Sequence, residues 1–181
     1  MRIVLATPLY PPEIAEPAPY VKELARRLSK DHRVIIVAYG RLPERVLGVT
    51  IVAVDKRWPL PFRLLAYFFA LLGAARNADL IYAQNGPSVE LPAAFVALIL
   101  GRPLIIRIGD QAAHEYATRH LARRIIERFA LSRACEVISD GPLPRPEVIP
   151  FQPFPPAKRV AYEHAWEEHL RALETLFDHA H

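Results

Sequence analysis

Six short apolar runs recur along this chain, and the segments between them carry helical patterning. The runs are "RIVLA" (2–6), "RVIIVAY" (33–39), "GVTIVAV" (48–54), "LIYAQ" (80–84), "PLIIRI" (103–108) and "CEVIS" (135–139). A strand with one wet face alternates apolar and polar residues, whereas continuous apolar runs belong to strands covered on both faces. The interleaved "YVKELARRLSKD" places Val21, Leu24, Ala25 and Leu28 on one helical side, with Lys and Arg opposite. Strands and helices in alternation imply parallel strands joined by crossovers. The expected fold is α/β: a single Rossmann-like open parallel sheet with helices on both faces.

Near its end the chain changes character. "DGPLPRPEVIPFQPFPP" (140–156) is too rich in proline for a regular helix and reads as extended. The remainder reads as a closing helix with an apolar stripe of Val160, His164, Trp166, Leu170, Leu173, Leu176 and Phe177. That helix has no core of its own, so it is expected to pack back on the sheet. The boundaries read from this are a sheet domain over 1–151 and a linker with closing helix over 152–181.

Composition removes several classes of function. With 52% hydrophobic and 23% charged residues the chain is globular rather than disordered. One cysteine, Cys135, excludes an internal disulfide and fits a reducing, cytoplasmic compartment. The start "MRIVLATP" reads as a first strand and not as a signal peptide. The stretch "LLAYFFALLGAA" between Arg63 and Arg76 falls short of the roughly 20 apolar residues that cross a bilayer. Burial beneath the sheet or the closing helix is expected for it. A net charge of +4 suits an anionic ligand or membrane surface. Nucleic acid is not an expected partner, because zinc-finger spacing, stacked-aromatic RNA motifs and a basic tail are all missing from the sequence.

In open parallel sheets, ligands bind beyond the carboxyl ends of the strands, where strand order reverses. Three segments fall on that rim. The loop after the first strand carries Glu13 and Glu16, and "AQNGPSVE" carries Gln84 and Asn85. The end of the fifth strand and "GDQAAHE" bring Arg107, Gly109, Asp110, His114 and Glu115. Asp110 is the candidate catalytic residue, and the others are candidate substrate contacts. Capping of the following helix is the competing role for the Asp110–Glu115 cluster, as an ordinary turn is for Gln84 and Asn85. No metal is expected: His114 and His120 are six apart and His164 and His169 five apart, where a metalloprotease helix needs four. No cofactor is expected either. The helix from 114 to 133 presents Arg119, Arg123, Arg124 and Arg128, with Leu121, Ile125, Ile126 and Phe129 assigned to its inner face. Such a basic face is either simply solvated or rests peripherally on the inner face of a membrane. Cys135, Trp58 and Trp166 read as packing residues.

"IVLATPLYPPEIAEPAPYVKELARRLSKDHRVIIVAYG" resembles the amino-terminal domain of family 4 glycosyltransferases, which have the GT-B fold. "ADLIYAQNGPSVELPAAFVALILGRPLIIRIGDQAAHEYA" is similar to their next landmark, and "AWEEHLRALETLF" to the final helix that crosses back onto the first domain. The resemblance covers about Met1 to Phe151 and implies a cleft that holds a sugar or lipid-linked sugar acceptor. In that family a second domain binds the nucleotide sugar, whereas here "EVIPFQPFPP" leads straight to the closing helix. Where the family has a Gly-Gly pair close to the donor phosphates, this chain has Ala15, Glu16 and Pro17, and Ile108 stands where some members place His. The resemblance therefore implies a glycosyltransferase-like acceptor-binding domain, inactive alone and completed by a donor-domain subunit, or else paired as a homodimer. A non-enzymatic binder of glycans or lipid head groups, a regulatory module and a minimised single domain are the alternatives.

Overall fold

A computed structural model describes residues 1–15, 17–84, 86–109, 121–139 and 156–180. Its strands are β1 (Arg2–Thr7), β2 (Arg33–Tyr39), β3 (Val49–Val54), β4 (Leu80–Gln84), β5 (Leu104–Ile108) and β6 (Glu136–Ser139). The helices are α1 (Ala18–Leu28), α2 (Leu60–Ala75), α3 (Pro87–Leu100), α4 (Leu121–Arg133) and α5 (Pro156–Ala180). All strand pairs are parallel, in the order β3-β2-β1-β4-β5-β6. Strand order reverses between β1 and β4, where Ile3 pairs with Leu80 and Ala6 with Ala83.

Successive side chains of a strand point to opposite faces, and each face here has its own core. Val4, Ala6, Val37, Ile81, Ala83 and Ile106 meet α2 and α3, with Ala130 of α4. Ile3, Leu5, Ile36, Tyr82 and Ile105 meet α1 and α5. The closing helix lies beside α1: Trp166 stacks on Tyr20 at 5.8 Å, and the Phe177 ring meets Tyr82 edge-on. Arg27 of α1 clamps the pair, donating to Glu163 at 2.8 Å and to Glu23 at 2.6 Å beneath the Trp166 ring.

Two glycines have conformational duties. Gly101 (φ 60°) ends α3 in the left-handed region, as its position after the helical pattern predicts. Gly86 (φ 141°) opens α3, and its N–H donates to the Glu90 carboxylate at 2.9 Å. Pro92 sits inside α3 and lacks the N–H that would bond the Ser88 carbonyl, so the Tyr39 hydroxyl donates to that carbonyl instead, at 3.0 Å.

Several expectations are corrected. The third strand is not covered on both faces: β3 is an edge, and only Val54 in it is buried. The apolar helix α2 buries Tyr67, Leu71 and Ala75 but leaves Leu65 and Phe69 exposed, and the closing helix lies on the other side of the sheet. In α4, Ile125 is exposed while Glu127 and Ala130 turn inward. The buried row of α5 is Trp166, His169, Leu173 and Phe177; Val160 and His164 of the expected stripe face outward. Trp58 is 52% exposed and packs in no core. Cys135 is exposed too, its thiol donating to the Leu104 carbonyl at the head of β6. Trp166 does lie in the core, fully buried.

Candidate functional site on the carboxyl rim

At the strand-order reversal, three buried polar side chains stand in a row. Thr7 ends β1, Gln84 ends β4, and Arg107 on β5 is in register with Gln84. They share the face of Leu5, Tyr82 and Ile105, so all three point toward α1 and α5. The Arg107 guanidinium lies 4.0 Å from the centre of the Tyr20 ring. A β-carbon on Gly109 would sit 3.7 Å from Arg107 Nη1, which places the guanidinium under the loop after β5. The Tyr20 hydroxyl lies 2.9 Å from His169 Nε2 and 3.3 Å from the Tyr82 hydroxyl. The closing helix thus contributes to the floor of the rim. Gln84 is 1% exposed, yet among the described residues neither its amide oxygen nor its amide nitrogen has a partner. Burying an unpaired amide is costly, so a residue of this kind at a switch point is a candidate for ligand recognition.

Beside this row the loops after β1 and β2 enclose an open cavity of about 570 Å³. Pro11, Pro12, Ile14 and Leu42 supply apolar walls, and Glu13, Tyr39 and Arg41 the polar groups. Glu13 accepts from Lys56 at 2.6 Å, which fixes its carboxylate at the cavity edge. Tyr10 lines the same cavity with 2% of its surface exposed, and its hydroxyl has no partner among the described residues. Burial raises the Tyr10 hydroxyl pKa far above its usual value, with the Glu44 charge adding to it, and burial pushes Tyr39 up to about 12. Both are neutral hydroxyls at physiological pH, fit for hydrogen bonding and not for proton abstraction.

The amino end of α1 faces the same rim, and helix N-termini commonly hold phosphates through free N–H groups. Here that capacity is largely spent. Pro17 and Pro19 have no N–H, and the Ala18 N–H donates to Ala15 O at 3.0 Å.

Of the residues singled out from the sequence, Glu13, Gln84, Arg107 and Gly109 lie on this rim, Glu13 in the cavity and the others at the switch point. Arg124 and Arg128 are exposed on α4, where the backbone of Arg123 also falls. Glu16, Asn85, Asp110, His114, Glu115 and Arg119 lie outside the described residues. Sequence reasoning misses Thr7, Tyr10, Tyr39 and Arg41; their signal is position, since each ends β1 or β2 or lies within three residues of that end. Among the described residues no three His, Cys, Asp or Glu side chains gather to hold a metal, and no helix is long and apolar enough to cross a membrane.

The reversing parallel sheet with polar groups gathered at its carboxyl rim defines a Rossmann-like domain. The chain belongs to the glycosyl transferase 4-like domain family, whose model matches residues 16–173. Among solved structures it is similar to Anabaena HepE in complex with UDP and glucose, at 17% identity and TM-score 0.56, over 77% of this chain and 38% of that one. The UDP-glucose complex of the same protein aligns at 18% identity and TM-score 0.56, over 91% and 40%. UDP-GlcNAc 2-epimerase from Methanocaldococcus jannaschii aligns at 11% identity and TM-score 0.52, over 77% and 39%. The chain therefore spans about two fifths of the length of these structures. No curated protein matches the sequence.

Proposed function

We propose that this chain is the acceptor-binding lobe of a GT-B glycosyltransferase and does not transfer sugar by itself. The cavity of about 570 Å³ at the ends of β1 and β2 carries the reading, because it joins apolar walls to Glu13, Tyr39 and Arg41 as a sugar ring requires. A sugar, free or lipid-linked, would lay its apolar face on the prolines and offer hydroxyls to Glu13 and Arg41. The activated sugar and the groups that stabilise its leaving diphosphate would come from a donor-binding lobe across the rim. The blocked amino end of α1 supports this division, since it offers few N–H groups to a diphosphate.

Titration of the 181-residue chain with mono- and oligosaccharides, UDP and UDP-glucose, followed by NMR, tests the proposal. Sugars are expected to shift resonances around Glu13 and Tyr39, with Glu13→Gln weakening that response. UDP is expected to leave the spectrum unchanged. Tight UDP-glucose binding and turnover by this chain alone would overturn it. The blocked helix end equally favours a glycan-binding module without catalysis. That reading predicts the same sugar response and no turnover when a donor lobe is added.

A further inference from the structure

The outer surface of the α2–α3–α4 layer is apolar where a solvated surface should be charged. Phe62, Leu65 and Phe69 of α2, Phe95, Leu98 and Ile99 of α3, and Ile125 of α4 are each between 42% and 65% exposed. In α2 the spacing of three and four residues places all three on one helical side, while Tyr67, Leu71 and Ala75 hold the opposite side to the sheet. The one charged residue of α2, Arg63, turns inward over the Tyr39 ring. Phe95 continues the surface to α4 through its 5.0 Å contact with Phe129.

On the described residues of these helices the exposed charge has one sign. In α2, α3 and α4 the carboxylates are Glu90 and Glu127, and both are buried. The exposed charges described on or directly after these helices are arginines: Arg76, Arg124, Arg128 and Arg133. Arg76 and Arg102 stand together at the carboxyl ends of α2 and α3, with Arg102 Nη2 donating to Arg76 O at 3.2 Å. Arg133 lies over the Phe129 ring at 5.7 Å. An apolar ridge bordered by arginine, without an exposed carboxylate on its helices, complements an apolar layer lying beneath anionic head groups.

We infer that the outer face of α2, α3 and α4 docks on an anionic lipid surface, independently of what the rim binds. A second copy of the chain is a poorer occupant. Two-fold pairing would set arginine against arginine, and these helices expose no carboxylate in answer. A donor-binding lobe would face the carboxyl rim, at the edge of the sheet, and would leave this helical surface open. The buried side of α2 keeps that helix on the protein, so it lies in the interface, about 24 Å long at 1.5 Å per residue.

Sedimentation of the full chain with vesicles of phosphatidylcholine, with or without phosphatidylglycerol, tests the inference, with light scattering to report mass. Binding is expected only to the phosphatidylglycerol vesicles and is expected to weaken with salt. Arg124→Gln with Arg128→Gln should lower the partition by roughly thirtyfold, the effect of two arginines at an anionic surface. Phe69→Ser should lower it about tenfold. Both variants change exposed side chains, and circular dichroism verifies their folding. Absence of binding by the folded chain would overturn the inference, as would a dimer that Phe69→Ser dissolves or binding indifferent to these substitutions.

Discussion

The hydroxyl of Tyr39, at the end of β2, donates at 3.0 Å to the carbonyl of Ser88 in the first turn of α3. Pro92 leaves that carbonyl without its helical partner, so a strand and a helix from distant parts of the chain are joined by an irregularity in the helix. Tyr39→Phe removes the donor and should lower stability by about 1 kcal/mol, read from the urea midpoint. Pro92→Ala restores an N–H four residues on from Ser88. In that background Tyr39→Phe should cost less, and additive losses in a double-mutant cycle would refute the link.

Gln84 predicts the opposite direction of change. Its amide is buried and unpartnered among the described residues, so Gln84→Met keeps the volume and removes the unpaired polar atoms. Stability should rise by about 1 kcal/mol. A lowered urea midpoint would show that the amide has a structural partner.

Glu23 sets the behaviour in acid. Burial alone would raise its pKa, but hydrogen bonds and charge from Arg26 and Arg27 outweigh burial and hold it below the usual glutamate range. A carboxylate with a depressed folded pKa adds stability that is complete above its ordinary range and is lost as pH falls through the folded value. Glu23→Gln should therefore be less stable than the parent at pH 7, with the two converging below about pH 4. Urea unfolding across that range measures the gap, and a gap that persists in acid would place the effect in packing.

The parallel sheet was legible because Ile3–Ala6, Val34–Ala38 and Leu104–Ile106 are apolar on both sides of the strand, which only a two-sided cover explains. Edge status was not legible. "VTIVAV" in β3 is as apolar as β2, and what exposes it is that no strand among the described residues lies beyond it. Helical periodicity found the inner side of α1 and most of that of α5, yet it erred at single positions of α4 and α5. In α4 it favoured Ile125 over Glu127, and in α5 Val160 over His169, because tertiary contacts such as the Tyr20–His169 hydrogen bond outrank hydropathy. The rim position of Gln84 and Arg107 followed from topology alone. Tyr10 was not singled out, since its importance rests on a burial that one sequence does not display.

The pairing of α5 with α1 also sets an order of events during synthesis. Tyr20, Leu24 and Tyr82 share a core with Trp166, Leu173 and Phe177, so the part of this face beside α1 stays uncovered until residues 156–180 have left the ribosome. The opposite face is built from α2, α3 and α4 and can close earlier. That part of the molecule thus waits for α5, and a nascent chain stalled before it would show its aromatic side to chaperones.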